Sequence, residues 1–117
     1  MASLRDLVAV IRQRDGVEAA VILGRDGLLI DSQAVERLDA EDLAARIPPI
    51  VAAADDLGMN SGRGEVVTAV LEYASGMALI ANLTHEAVLL VLLAPNANVG
   101  PLLYELRRNR GQIAALV

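Results

Sequence analysis

The hydrophobic positions of this chain change period several times, and each change marks an element. Leu4, Leu7, Val8 and Ile11 fall at i, i+3, i+4 and i+7, the stripe of an amphipathic helix. Ser3 is placed to cap that helix, with Asp6 three residues on as a weaker form of the capping box. Gly16 suits its end, because glycine tolerates a left-handed backbone. The pattern then turns into a run, Glu18 to Leu23, that is apolar on both faces from Ala19 onward, as expected of a central strand covered on both sides. Gly24-Arg25-Asp26-Gly27 follows, and then Leu28-Leu29-Ile30. Asp-Gly between two apolar runs is a hairpin signal, so these strands should pair antiparallel.

Residues 33 to 38 read as a polar connection. Asp39 is the predicted cap of a second helix, with Glu41 and Asp42 in a first turn whose dipole favours acids. Leu43, Ile47, Ile50, Ala54 and Leu57 form its apolar stripe. Pro48-Pro49 interrupts the stripe. A proline lacks the amide proton and clashes with the preceding turn, at about 3 kcal/mol or more in a helix interior. A kink or a helix in two parts is therefore expected, with Gly58, Gly62 and Gly64 marking a frayed end. Three strands follow on short links: Glu65 to Tyr73, Met77 to Leu83 and Ala87 to Leu93. Ser75-Gly76 and Thr84-His85-Glu86 suit the turns between them. The last strand is apolar on both faces and should be central. Asn96 or Asn98 caps a final helix, which tolerates Pro101 in its first turn and turns Val99, Leu102, Leu103, Leu106, Ile113 and Leu116 to the core.

The order α-β-β-α-β-β-β-α predicts an α/β (α+β) fold. Its five-stranded, mainly antiparallel sheet would carry two helices on one face and one on the other. A single helix about 10 Å wide does not cover five strands spaced about 4.8 Å apart. Apolar surface left open in this way usually marks an interface, so a dimer is expected on physical grounds.

Composition narrows the functions open to such a fold. The 117 residues suit one domain, residues 1 to 117, large enough for a core without staples. There is no cysteine, which excludes disulfides and thiolate metal sites. Phe and Trp are absent and the aromatics are Tyr73 and Tyr104, so no stacking platform exists for single-stranded nucleic acid. The formal net charge of -5 also argues against a phosphate-binding surface. The N-terminus, Met1 to Asp6, mixes charge among its apolar residues instead of placing it before an apolar run. The longest apolar stretch, Ala87 to Pro95, is far short of the roughly 20 residues that cross a bilayer. A cytoplasmic chain without membrane insertion is expected.

Catalytic chemistry is sparse. His85, between Thr84 and Glu86, reads as an exposed turn residue, since a general base needs a positioned partner and a pocket. With no cysteine and no second histidine, a metal site is not expected, nor is a bound cofactor. The stretch Gly58-Met59-Asn60-Ser61-Gly62-Arg63-Gly64 lacks the Gly-Lys-Ser/Thr of a Walker loop, and the chain contains no lysine. It also follows a helix and precedes a strand, the reverse of a dinucleotide fingerprint. Arg63 reads as a solvated loop arginine and not as an arginine finger. Arg107, Arg108 and Arg110 complement the negative end of the final helix. No catalytic residue is assigned.

The second helix carries the feature hardest to explain by folding alone. Opposite its apolar stripe lie Ala45, Pro48, Ala52 and Asp55, a smooth face of small side chains that permits close approach of another chain.

At this point the chain resembles the roadblock/dynein-light-chain family, and within it the small bacterial regulators of Ras-like GTPases. The resemblance rests on Gly16-Val17-Glu18-Ala19-Ala20-Val21-Ile22-Leu23 and Asp26-Gly27-Leu28-Leu29-Ile30-Asp31-Ser32. It continues through Leu57-Gly58, Gly64-Glu65-Val66, Leu71-Glu72-Tyr73, Leu89-Leu90-Val91-Leu92 and Asn98-Val99-Gly100. Pro48-Pro49 departs from the family's usual uninterrupted helix. The resemblance implies a homodimer joined through the second helix and the third strand. Carried onto this chain, that interface comprises Ile47, Ile50, Val51, Ala54, Leu57, Val66, Val67, Thr68 and Val70. It also implies a Ras-like small GTPase as partner, on the face bearing Ala45, Pro48, Ala52 and Asp55, with the GTPase's own groups positioned and no residue donated. A small-ligand sensor with Thr68 and Asn82 as its inward polar groups, or a scaffold without effect on turnover, are the alternatives.

Overall fold

The computed structural model describes residues 3–117; Met1 and Ala2, where the reading of the N-terminus begins, lie outside the described residues. Ser3 caps the first helix, α1 (Leu4–Arg12), its hydroxyl accepting the amide of Asp6 at 3.2 Å. The helix buries Leu7, Val8 and Ile11, three of the four stripe residues. Gly16 turns the chain at φ +83°, and β1 (Val17–Gly24) begins at once.

The hairpin forms at Gly24–Gly27. Leu28 accepts the amide of Gly24 at 2.8 Å, and the Asp26 carboxylate accepts the amide of Leu28 at 3.0 Å. Gly27 sits at φ +91°, and a Cβ there would lie 3.3 Å from Pro48 Cγ, so this turn needs glycine for conformation and for space. The returning strand is longer than its apolar residues suggest. β2 runs Leu29–Ala34 and not Leu28–Ile30, with Ala34 opposite Ala19. Its polar residues Asp31, Ser32 and Gln33 fit because an edge strand keeps one side in water, which dilutes the alternation that announces a strand.

Asp39 caps α2 (Ala40–Asn60), its carboxylate accepting the amides of Glu41 at 3.0 Å and Asp42 at 3.3 Å. The helix is not divided at Pro48-Pro49; it is one helix of 21 residues. Ala44 and Ile47 before the pair and Val51 after it are all buried against the sheet, which anchors the helix on both sides of the prolines. Burying Ile47 and Val51 stabilises by roughly 1.5–3 kcal/mol each, comparable to the proline penalty. Gly58 lies inside the helix and does not mark a frayed end. A Cβ at Gly58 would collide with the carbonyl oxygen of Gly64, so the chain leaving α2 folds back against this glycine.

The remaining strands are β3 (Thr68–Tyr73), β4 (Gly76–Asn82) and β5 (Ala87–Leu93). β3 starts three residues later than the apolar pattern suggests. Residues 65–67 are held instead by Asn82, whose side-chain amide donates to the Val66 carbonyl at 2.7 Å and whose backbone amide donates to Val67 at 3.0 Å. The turn before β5 is closed by the Thr84 hydroxyl, which accepts the amides of Glu86 and Ala87.

Asn98, the second of the two residues considered as caps, caps α3 (Val99–Arg108) by accepting the Gly100 amide at 3.1 Å. The final helix is in two pieces, since Asn109 leaves helical geometry (φ −100°, ψ 14°) before α4 (Arg110–Ala114). Asn109 and Gly111 are poor helix formers, and the break carries Ile113 into the core.

The five strands form one antiparallel sheet in the order β2-β1-β5-β4-β3. The two doubly apolar strands, β1 and β5, lie side by side in its interior. One core packs α1, α3 and α4 on the face bearing Ala20, Ile22, Leu79, Leu89 and Val91. A second packs α2 on the opposite face against Val21, Leu23, Ile80, Val88 and Leu90. Both follow from strand alternation.

Candidate functional site

On the second face α2 approaches β1 and β2 most closely, its buried side chains also pack with Ile80, Val88 and Leu90 of β4 and β5, and its C-terminal part is tied to the approach to β3 through Asp55 and Val66. Along β3 the side chains alternate. Ala69 and Leu71 pair with Ile80 and Ala78 on the α2 face, while Thr68 and Val70 pair with Ala81 and Leu79 on the other. Val70 is 41% exposed and Tyr73 57%. Leu57, on the last turn but one of α2, is 72% exposed, and Val67 is exposed beside it. Leu57, Ala54, Val66 and Val67 border an open groove of about 360 Å³ between α2 and the start of β3. Apolar side chains gathered along an unpaired strand edge are the pattern of a contact surface.

The two sheet edges differ in how they meet a new strand. β2 carries a register shift opposite Ile22/Leu23 and places Asp31 and Gln33 along its length. The bulge is what blunts the β2 edge, since each edge strand carries a single charge, Asp31 in β2 and Glu72 in β3. β3 pairs with β4 in unbroken register from Thr68 to Tyr73, and Glu72 is its one charged residue.

The residues singled out from the sequence fall into separate groups. Ile47 and Val51 are buried in the second core, 5% and 6% exposed, so their side chains are spent inside the chain and are not on the surface. Ile50, Ala54, Val66 and Thr68 are half-buried, and Leu57, Val67 and Val70 are exposed. Ala45 and Ala52 are exposed on the outer ridge of α2, together with Pro49 and Ala53. Pro48 is half-buried against the Gly27 turn. Asp55 faces inward more than the smooth-face reading suggests. Its carboxylate accepts the Val66 amide at 2.7 Å and Arg25 Nη2 at 3.2 Å. The separation of Asp55 from Arg25 and Val66 in sequence hides this arrangement, and no local motif reveals it.

Beside Pro48, Ala52 and Asp55 lies a cleft of about 150 Å³ with Leu23, Val51 and Val88 in its lining and Arg25 at its side. Thr68 and Asn82, the inward polar pair of the sensor alternative, share a recess of about 20 Å³. That recess has room for about one water molecule.

The remaining chemical candidates are placed on the surface. His85 is exposed, 3.9 Å from Glu65. Arg63 donates to the carbonyl of Ser61 at 2.8 Å within its own loop. Arg107 and Arg108 occupy the last turn of α3, and Arg110 opens α4. Among the described residues, no group of acidic or histidine side chains is arranged to hold a metal ion, and no helix is long and apolar enough to cross a membrane.

Comparison with known proteins agrees with this architecture. The chain is 26% identical over 106 residues to an uncharacterised protein of Methanocaldococcus jannaschii, covering 91% of this chain and 92% of the other. A Roadblock/LC7 domain structure from Streptomyces avermitilis superimposes with a TM-score of 0.84 at 23% identity, over 97% of this chain and 96% of that one. MglB of Myxococcus xanthus superimposes with a TM-score of 0.85 at 18% identity, over 97% and 89% of the two chains. The family model of the Roadblock/LC7 domain matches residues 4–93, from α1 to the end of β5, and the chain belongs to that family.

Proposed function

We propose that this protein is a homodimeric, non-catalytic regulator or adaptor that binds a Ras-like small GTPase and modulates its GTP hydrolysis. One observation carries the reading. In a chain of the Roadblock/LC7 family, the outer ridge of α2 and the β3 edge are left uncovered, with Leu57 and Val67 exposed beside the groove between them and Val70 exposed on the opposite face of β3. The resemblance to bacterial regulators of Ras-like GTPases supplies the class of partner.

In this reading the β3 edges of two copies pair, joining two sheets into one. Ile50, Ala54, Leu57, Val66, Val67, Thr68 and Val70 meet their counterparts across a two-fold axis, with Ile47 and Val51 supporting them from the core. The unbroken register of β3 and the blunted edge at β2 favour this side. Two α2 helices then lie next to one another, and their small outer residues Ala45, Pro48 and Ala52 receive the GTPase. Asp55 holds the β3 approach in place beneath that surface. The 117 residues act as one domain in the cytoplasm. The effect on turnover comes from positioning the GTPase's own groups.

The test is calorimetry with the Ras-like GTPase encoded nearest to this chain in its genome, loaded with GDP or with a non-hydrolysable GTP analogue, followed by GTP turnover. Binding in at least one nucleotide state with altered turnover supports the reading. Absence of binding in both states overturns it, and binding with unchanged turnover leaves a scaffold.

A further inference from the structure

Glu72 is the one charged residue of β3. It stands opposite Met77 of β4, which packs against the first core, so its side chain shares the α3 and α4 face of the sheet with Thr68 and Val70. Glu72 is exposed, and among the described residues no basic side chain pairs with it. The arginines at the α3–α4 junction are in the same position. Arg107, Arg108 and Arg110 are exposed, and among the described residues none of them forms an ion pair. The helix dipole accounts for Arg107 and Arg108 in the last turn of α3, but not for Arg110, which opens α4. Glu105 of α3 is engaged by Asn109, whose side-chain amide donates to Oε2 at 3.4 Å. Arg107 lies beside the first residue of β3. It shares a recess with Thr68 and Arg110, and it also borders the groove between α2 and the start of β3. Glu72 is four residues further along the strand, about 13 Å away.

We propose that Glu72 of one copy pairs with Arg107 of a second copy across the β3 seam, with Arg110 beside it, and that this pair sets the register of the dimer. The inference rests on the homodimer reading above. The backbone amide of Asn82 donates to the Val67 carbonyl. By antiparallel alternation, Ala69 and Leu71 also turn their backbone groups to β4, and Thr68, Val70 and Glu72 turn theirs to the open edge. A two-fold axis perpendicular to the joined sheet keeps α3 and α4 of both copies on one face. Two registers then centre the seam on β3: Val70 opposite Val70 of the second copy, or Leu71 opposite Leu71. In the first, Glu72 lies directly opposite Thr68 of the second copy, beside that copy's Arg107, and the two glutamates are at opposite ends of the seam. In the second, Glu72 lies opposite Val70 of the second copy, and the two glutamates become diagonal neighbours, about 7–8 Å apart. Cross-strand neighbours of opposite charge stabilise a pairing and like charges oppose it. Charge therefore selects the first register, which also pairs all three outward-facing residues of β3 with one another.

The experiment measures dimer dissociation constants by sedimentation for the unsubstituted chain, for Glu72→Arg, for Arg107→Glu, and for an equimolar mixture of the two variants. Each variant alone sets like charges against each other at both ends of the seam and should dimerise about tenfold more weakly. The mixture should recover to within about threefold of the unsubstituted chain, because in a heterodimer each introduced charge meets its opposite in the other copy. Raising salt should weaken the unsubstituted dimer and strengthen each variant alone. Circular dichroism of the variants should match that of the unsubstituted chain, since both side chains are exposed. Unchanged constants in both variants overturn the inference. So does weakening that mixing fails to relieve, which would assign the effect to the fold of each chain and not to a pair between copies. An unsubstituted chain that stays monomeric is a separate result. It overturns the homodimer reading itself, and this inference with it.

Discussion

Asp55 of α2 accepts the backbone amide of Val66 at 2.7 Å, across eleven residues of chain that include the glycine-rich loop. The second oxygen of the same carboxylate accepts Arg25 Nη2 at 3.2 Å. One side chain therefore ties the helix to the turn after β1 and to the approach to β3. It sets where the exposed strand edge lies relative to the helix beside it.

This arrangement separates two substitutions. Asp55→Ala leaves the half-buried Val66 amide without its acceptor and Arg25 without its anion. Stability should fall by about 2 kcal/mol. Asp55→Asn keeps an oxygen for the amide and loses only the partly exposed ion pair, so its cost should be under about 1 kcal/mol. Urea unfolding of both variants checks the difference; equal losses would mean that the amide bond contributes nothing.

The helical glycine Gly58 lies against the returning chain. On an open helix, Gly→Ala stabilises by about 1 kcal/mol. Here the new Cβ meets the Gly64 carbonyl, backbone that must shift to make room. Gly58→Ala should therefore lower stability by about 1–3 kcal/mol, the range for overpacking. A raised denaturation midpoint would show that the loop does not press on the helix.

Self-association is expected on one sheet edge and not on the other. Leu57→Asp places a charge in the groove between α2 and the start of β3, and Val70→Arg places one on the opposite face of the β3 edge; for each, sedimentation should report monomers at concentrations where the unsubstituted chain forms the proposed dimer. Leu28 is 70% exposed, but it lies at the opposite edge, next to β2. Leu28→Asp should leave the sedimentation profile unchanged. If Leu28→Asp dissociates the dimer and the other two do not, the interface belongs to β2.

The short α4 owes its place to one residue. Ile113 is 2% exposed and sits in the core with Leu102 and Leu106. Ile113→Ala should cost about 2–5 kcal/mol. The amides of residues 110–114 should also exchange faster with solvent than those of α3. Uniform exchange across α3 and α4 would show that the Asn109 break does not uncouple them.

Much of the fold was legible in side-chain periodicity. The stripe Leu4, Leu7, Val8, Ile11 and the doubly apolar runs in β1 and β5 report how many faces of an element are covered, which is a local property of the chain. The Asp26-Gly27 hairpin was legible for the same reason, because a turn needs particular backbone angles at particular residues. β2 was harder to read beyond Ile30, since an edge strand has no burial to advertise. The break at Asn109 was hidden because Ile113 and Leu116 continue an apolar series that a straight helix would also satisfy.

The amino-acid order by itself determined the elements, their sequence, the antiparallel sheet and the presence of a helix too narrow to cover it. Only the tertiary structure decided which stripe residues of α2 are consumed inside the chain. Ile47 and Val51 pack on β1, and Leu57, on the same stripe, runs past the covered part of the sheet. Only the tertiary structure, too, turned Asp55 from a residue of a smooth face into the anchor of Val66. Periodicity says which side of a helix is apolar. How far along its length a neighbour covers that side depends on where the helix sits on the sheet, and that is set by contacts between residues far apart in the chain.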